Sequence, residues 1–175
     1  MIDLILIIIL MVFSIDVLLV YKYKIMYKSK HKFILALLHT SILLINLSFI
    51  FYLGFIYKNK ISIIINTFGI IFVLLGILLT IYTLIFLKEI AILPKNKLIT
   101  EGPFKYSRHP IYLGYILVVS GLSFFFGSLY LLIYLIALIF ALNYLAKQEE
   151  KELVNRFSRA YLNYVKNVPR FFNLF

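Results

Sequence analysis

The residue types able to do chemistry fall into two groups: Arg108-His109 immediately ahead of Pro110, and the acid pair Glu149-Glu150 followed by Tyr161, Tyr164 and Arg170. Proline has no N–H to donate and a fixed φ that suits the first helical position, so Pro110 reads as a helix start with Arg108 and His109 just outside it. The free N–H groups of such a helix end favour anions, and a guanidinium beside them adds a forked donor for a carboxylate or phosphate. An interfacial anchor at a membrane edge would use the same residues. An acid buried on an apolar face needs a partner. For Glu150 that partner is either Arg108 or another loop cation in a structural ion pair, or a polar site in which Glu150 and Arg108 both take part.

Composition removes other chemistries. The chain contains no cysteine, which excludes disulfides, thiolate metal ligands and a cysteine nucleophile. Its three histidines show no metal-ligand spacing, so no metal site is expected. No glycine-rich dinucleotide-binding fingerprint is present. With 63% hydrophobic residues, 14% charged residues and a mean hydropathy of +1.01, the chain is an integral membrane protein. The net charge of +11 is spread in short clusters between apolar runs, which is the pattern of cytoplasmic loops and not of a nucleic-acid-binding face.

Those runs define the elements that must position the polar residues. Residues 2–21 form a first span interrupted by Asp3 and Asp16, with neither a basic leader segment nor a small-residue cleavage site, and therefore read as a retained helix. Asp16 pairs with Lys22 or Lys24 at the interface, or marks a polar interior. Lysines 22, 24, 28, 30 and 32 place the next loop in the cytoplasm and the N-terminus outside. Residues 33–57 and 61–87 make the second and third spans around the turn Lys58-Asn59-Lys60. His39 and Asn46 suit hydrogen bonds across helices, and Gly69 and Gly76, on one face, permit close approach of another helix. A cytoplasmic loop over 88–109 holds Pro94 and the turn signal Gly102-Pro103. Residues 111–126 and 129–145 then form a compact hairpin about Gly127-Ser128. Winding Lys147 to Val168 at about 100° per residue collects Leu153, Val154, Phe157, Ala160, Tyr161, Tyr164 and Val168 on one stripe, with Glu150 near its middle. The fold class is therefore an all-α integral membrane protein. It has five transmembrane helices, the last two a hairpin, and a C-terminal cytoplasmic amphipathic helix. Residues 1–175 form one membrane domain, comprising three N-terminal helices (1–87) and a functional half (88–175).

Gly102-Pro103-Phe104-Lys105-Tyr106, then Arg108-His109-Pro110-Ile111-Tyr112-Leu113-Gly114, a hairpin, Glu149-Glu150, Leu153, Phe157, Tyr161, Tyr164 and Val168-Pro169-Arg170 resemble the isoprenylcysteine carboxyl methyltransferase family. More broadly, they are similar to the membrane methyltransferases that include phospholipid N-methyltransferases. The resemblance covers about residues 94–170 and rests on the joint pattern of both halves. Ser158 stands where the family usually has glycine, and Phe171-Phe172-Asn173 stands where a further proline is common.

The resemblance implies S-adenosylmethionine as methyl donor, bound on the cytoplasmic side, and a lipid-like or prenylated acceptor arriving from the bilayer, the most direct candidate being an isoprenylcysteine-like carboxylate. It implies Arg108 and Glu150 as catalytic residues, and Tyr106, His109, Tyr112, Gly114, Glu149, Glu150, Tyr161 and Arg170 around the donor. Carboxylates and aromatic faces attract a sulfonium, and an arginine suits the donor's carboxylate. A carboxylate acceptor needs no base, whereas an amine acceptor must lose a proton, for which Glu150 is the candidate. A small transporter or structural subunit with Asp16, His39 and Asn46 along a path is the reading from another class. It predicts polar residues spread through the spans, whereas here they concentrate in the second half.

The loop pattern predicts that residues 22–32, 88–109 and 146–175 share the cytoplasmic side. Single cysteines introduced into this cysteine-free chain should all label from that side. Opposite labelling of the 22–32 loop and the C-terminus would break the five-span arrangement.

Overall fold

The computed structural model describes residues 48, 50–52, 54–90 and 98–172, with the side chains of 88–90 outside the description. The chain divides into two compact units, residues 1–56 and 57–175. In the first, the described residues 48, 50–52 and 54–56 are helical. The expected first span, with Asp16, and the positions of His39 and Asn46 lie outside the described residues. The second unit is built from α1 (Ile63–Ile90), a 3-10 turn (Gly102–Lys105), α2 (Pro110–Phe126), α3 (Leu129–Phe157) and α4 (Arg159–Asn167). No strand occurs among the described residues. Two of these helices, over Ile63–Leu87 and Leu129–Phe157, are long and apolar enough to cross a membrane, and α2 is a shorter apolar helix.

α1 and α2 pack antiparallel along a seam of glycines. A Cβ on Gly69 would stand 2.7 Å from the Gly121 carbonyl oxygen, and one on Gly121 would stand 2.5 Å from that of Gly69. One heptad along, a Cβ on Gly76 would come within 2.6 Å of the Gly114 oxygen, and one on Gly114 would run into Thr80 Oγ1. In a bilayer there is no hydrophobic drive to bring helices together, so backbone-to-backbone contact at small residues is what holds such a pair. The seven-residue spacing of Gly69 and Gly76 thus meets a matching spacing on α2. Thr80 and Thr83 return their hydroxyls to the carbonyls of Gly76 and Leu79 and so hide their polarity within α1.

The hairpin turn is closed from outside. Gly127 ends α2 in the left-handed region (φ 59°), where a side chain is strained and where a Cβ would strike Ile61. Asn59 donates its backbone N–H to Phe126 O (3.1 Å) and its side-chain amide to Gly127 O (2.8 Å). Two carbonyls that the helix end leaves without partners are satisfied in this way. Asn59, expected from sequence to lie in a turn, is therefore the cap of the neighbouring hairpin.

The C-terminal part differs from the sequence reading. The helix that begins at Leu129 does not stop at Leu145 but runs unbroken to Phe157, and a separate nine-residue α4 follows, so Lys147–Val168 is not one helix. Nothing in Ala146-Lys147-Gln148-Glu149-Glu150-Lys151 disfavours helix, and the chain has no reason to break there. The break falls at Ser158, the one non-glycine residue with positive φ among those described (φ 45°, ψ −117°). Winding the two pieces as a single helix put Ala160 on the apolar stripe, yet it is exposed, whereas Tyr161 and Val168 are buried.

A left-handed backbone costs an L-residue about 1–2 kcal/mol, which glycine avoids. Ser158→Gly should therefore raise stability by about 1 kcal/mol in thermal or denaturant unfolding of the detergent-solubilised protein. Lowered stability would mean that the serine side chain contributes more than the strain costs.

Candidate functional site

The loop before α2 is pinned at both ends. Gly102 takes φ 58°, and a Cβ there would lie 2.6 Å from the Phe86 ring, so glycine alone lets the 3-10 turn rest on α1. Phe104 follows it against Phe86 with ring centroids 6.4 Å apart, and Tyr164 of α4 donates its hydroxyl to the Phe104 carbonyl. Pro103 O accepts from the N–H groups of Tyr106 and Ser107 and ends the turn.

From there residues 107–109 run beside the segment that follows α4. Arg108 N–H donates to Pro169 O (3.0 Å), His109 N–H to Arg170 O (3.2 Å) and Ser107 Oγ to Arg170 O (3.0 Å). The backbone of the tail therefore fixes the residues just ahead of the predicted helix start, and α2 does begin at Pro110 with His109 as its cap.

Glu150 is the centre of the polar cluster. Arg170 grips it with two bonds, Nε to Oε1 at 2.9 Å and Nη2 to Oε2 at 2.7 Å, the forked geometry that suits a carboxylate. Arg108 Nη2 lies 3.0 Å from Oε1, and its Nη1 donates to Val165 O (3.3 Å), one of the carbonyls that the end of α4 leaves free. The remaining arm of Arg170, Nη1, donates to Asn143 Oδ1. Burial pushes the Glu150 carboxyl up. The Arg170 hydrogen bonds and the charges of Arg108, Arg170 and His109 outweigh this and hold it below the usual carboxylate range.

Glu149 is engaged separately, accepting from the Tyr112 hydroxyl (3.0 Å) and lying 3.2 Å from His109 Nδ1. The His109 ring stacks on Tyr112, with centroids 5.3 Å apart and planes 7° apart, and Phe171 meets it edge-on at 6.3 Å. Tyr161 is fully buried beside Tyr164, with centroids 5.9 Å apart. Burial and the Glu150 charge, against the opposing Arg108, push its phenol up to about 12, and burial does the same for Tyr164. Both therefore stay neutral O–H groups at physiological pH.

Three buried polar atoms of this cluster have no hydrogen-bond partner: Arg108 Nε, His109 Nε2 and Tyr161 Oη. His109 Nε2 stands 3.4 Å from Glu150 Oε1, an ion pair only when the ring is protonated. Buried polar groups are nearly always bonded, so unsatisfied ones gathered in one place mark where a ligand or solvent would bond.

Of the residues singled out from sequence, Arg108, His109, Tyr112, Glu149, Glu150, Tyr161 and Arg170 belong to this cluster. Tyr106 does not: it is 76% exposed. Gly114 lies in the α1–α2 seam against Gly76 and Thr80. Sequence reading missed Asn143 and Phe171. Asn143 carried a signal, since it is the amide two helical turns before Glu150 in an otherwise apolar stretch, and polar side chains in such stretches are functional by default. Phe171 carried none, because its role comes from a tail that folds back.

A family model described as phospholipid methyltransferase matches residues 61–160, more than half of the chain, from the start of α1 to the first residues of α4. The chain belongs to the phospholipid methyltransferase family. It is thus a membrane methyltransferase of the broad group to which the sequence resemblance pointed, and the match contains Arg108, His109, Glu149 and Glu150. No curated protein and no solved structure matches it.

Because Arg170 bonds Glu150 through its side chain and residues 107 and 109 through its carbonyl, the fork should hold the tail in place. Arg170→Lys keeps the charge but loses the planar fork, and should cost about 1.5–3 kcal/mol, the scale of hydrogen bonds to charged groups. Hydrogen exchange at the Arg108 and His109 amides should speed up correspondingly. Unchanged protection would show that the backbone pairing stands without the side chain.

Proposed function

We propose that the chain transfers a methyl group from S-adenosylmethionine to a carboxylate on a lipidic acceptor, an isoprenylcysteine-like group being the most direct candidate. The donor supplies an electrophilic methyl on a sulfonium. The cluster fits such a molecule: Arg108 and Arg170 are suited to its carboxylate, Glu149 and Glu150 to its positive charge, and the unbonded Tyr161 hydroxyl and His109 Nε2 to its neutral polar groups. Methyl transfer is an in-line displacement, so these residues act mainly by positioning and by excluding water.

The observation that carries the choice of acceptor is the state of Glu150. Both its oxygens accept from guanidinium groups, and its carboxyl is held below the usual range. A carboxylate so placed is a poor proton acceptor. An acceptor that must lose a proton is therefore poorly served, and one that is already an anion needs no base. The second reading is an amine-bearing phospholipid, which the family's description favours. On that reading the buried, unbonded His109 Nε2 replaces Glu150 as the base. Five spans, an outer N-terminus and a cytoplasmic site remain part of the proposal, as does the division into residues 1–87 and a functional half, 88–175.

Purified protein incubated with methyl-labelled donor and a membrane lipid extract should yield a labelled lipid whose label is released by mild alkali as methanol. That release marks an ester. Label retained through alkali would indicate N-methylation and overturn the carboxylate assignment. Donor binding, followed by calorimetry in nanodiscs, should need no added metal. Glu150→Gln should weaken donor affinity or turnover by roughly ten- to a hundredfold, the equivalent of about 1.5–3 kcal/mol. The exposed Glu152→Gln should change little. Equal behaviour of the two variants would remove Glu150 from the site.

A further inference from the structure

The outward face of α3 changes chemistry along its length. Leu129, Ile133, Ile136, Phe140 and Tyr144 are all exposed and recur every three or four residues, so they form one stripe along the helix. Continuing the same spacing gives Lys147 and Lys151, both exposed. At about 100° per residue these lysines stay in the stripe, while Glu149 falls on the opposite side of the helix, towards Tyr112 and His109. The apolar stretch from Leu129 to Tyr144 spans about 22 Å at about 1.5 Å per residue. It is therefore a lipid-facing surface that gives way to cations on the same face, about one turn beyond its last aromatic.

Other elements reach the same level. Tyr82 of α1, 52% exposed, packs on Phe86, which in turn meets Phe104 of the loop before α2. Tyr106, 76% exposed, and the exposed Lys105 leave the loop at that end of the helices, and Tyr144 is 54% exposed. Exposed tyrosines at one level are what membrane–water interfaces collect, and lysines just beyond them extend their ammonium groups to the headgroups while their stems cover apolar surface.

We propose that Lys147 and Lys151, with Tyr144 beneath them, form a headgroup-level surface on α3 that selects anionic phospholipid over zwitterionic. Charge complementarity argues for the anionic lipid. Lys147 and Lys151 are one turn apart on one helix face, Glu149 and Glu150 are turned inward onto His109, Tyr112, Arg108 and Arg170, and the exposed Glu152 falls about 100° round the helix from Lys151. A zwitterionic headgroup brings its own cation to such a face and gains less. The surface lies outside the polar cluster and does not depend on which acceptor the enzyme methylates.

The test uses the full chain in nanodiscs of mixed phosphatidylcholine and phosphatidylglycerol, with spin-labelled versions of each lipid reporting association. Wild-type protein should prefer phosphatidylglycerol, on the order of fivefold for each lysine engaged at low salt. The preference should shrink at high salt, approach unity in Lys147→Gln/Lys151→Gln and persist in Lys147→Arg/Lys151→Arg. Equal association of the two lipids with wild-type protein would overturn the proposal, as would a preference that survives the glutamine substitutions. Should the glutamine variant fail to melt like wild type, the wild-type salt titration decides: a preference indifferent to salt is not carried by these ammonium groups.

Discussion

A carboxylate held against two guanidinium groups is the constraint around which the polar end of this protein is arranged. Glu150 on α3 is held by Arg108 from the loop before α2 and by Arg170 from the tail after α4. Three chain segments far apart in sequence therefore meet at one side chain. Such a cluster is a weak source of net stability, because stripping water from the ions offsets most of their attraction. Its effect lies in holding the segments together, because removing Glu150 would leave both guanidinium groups without their carboxylate. The surrounding backbone bonds, from Ser107, Arg108 and His109 to Pro169 and Arg170, follow from the need to keep the three segments together.

The cluster also depends on where the helices put it. Arg108 and His109 stand at the start of α2, and α2 is located along α1 by the glycine contacts Gly69–Gly121 and Gly76–Gly114. A register error of one residue would drive side chains into backbone at both contacts, so the seam admits few alternatives. The capped Gly127 turn then fixes the start of α3, and the unbroken helix carries this placement over 29 residues, through Glu149 and Glu150 to Phe157. In this way a packing device in the apolar region determines which residues face each other at its polar end.

These layers were not equally legible in the sequence. Pro110, the Gly102-Pro103 turn and the paired glycines of α1 act through local geometry that residue type nearly determines, and they can be read directly. Glu150 announced itself as a charge on an apolar face, and Arg108 was its nearest cation by topology. Arg170's part in holding Glu150 was harder to see, because it depends on the direction the chain takes after Ser158. That break is a positive-φ residue without the glycine that normally signals one, and periodicity carries straight through it. Asn143 and Phe171 join the cluster through tertiary approach, which no local pattern encodes. The resemblance to a family with glycine at the position of Ser158 contained the missing clue in physical form: a site where the backbone turns left-handed.

The charge balance of the cluster bears on how a ligand with both signs of charge would enter. Arg108 and Arg170 face Glu150, and Glu149 accepts from Tyr112 beside His109, so two guanidinium groups and two carboxylates lie within one cluster. A molecule carrying a carboxylate and a cationic centre can exchange partners with this set, its anion taking an arginine as its cation takes the released glutamate. The Arg170 fork is the link to exchange first. It is the more exposed of the two guanidinium groups, at 25% against 8%. Under the proposed activity, the residue that completes the closed cluster is thus also the one whose movement opens it, and the buried Tyr161 and His109 atoms that lack partners mark the side on which the new bonds would form.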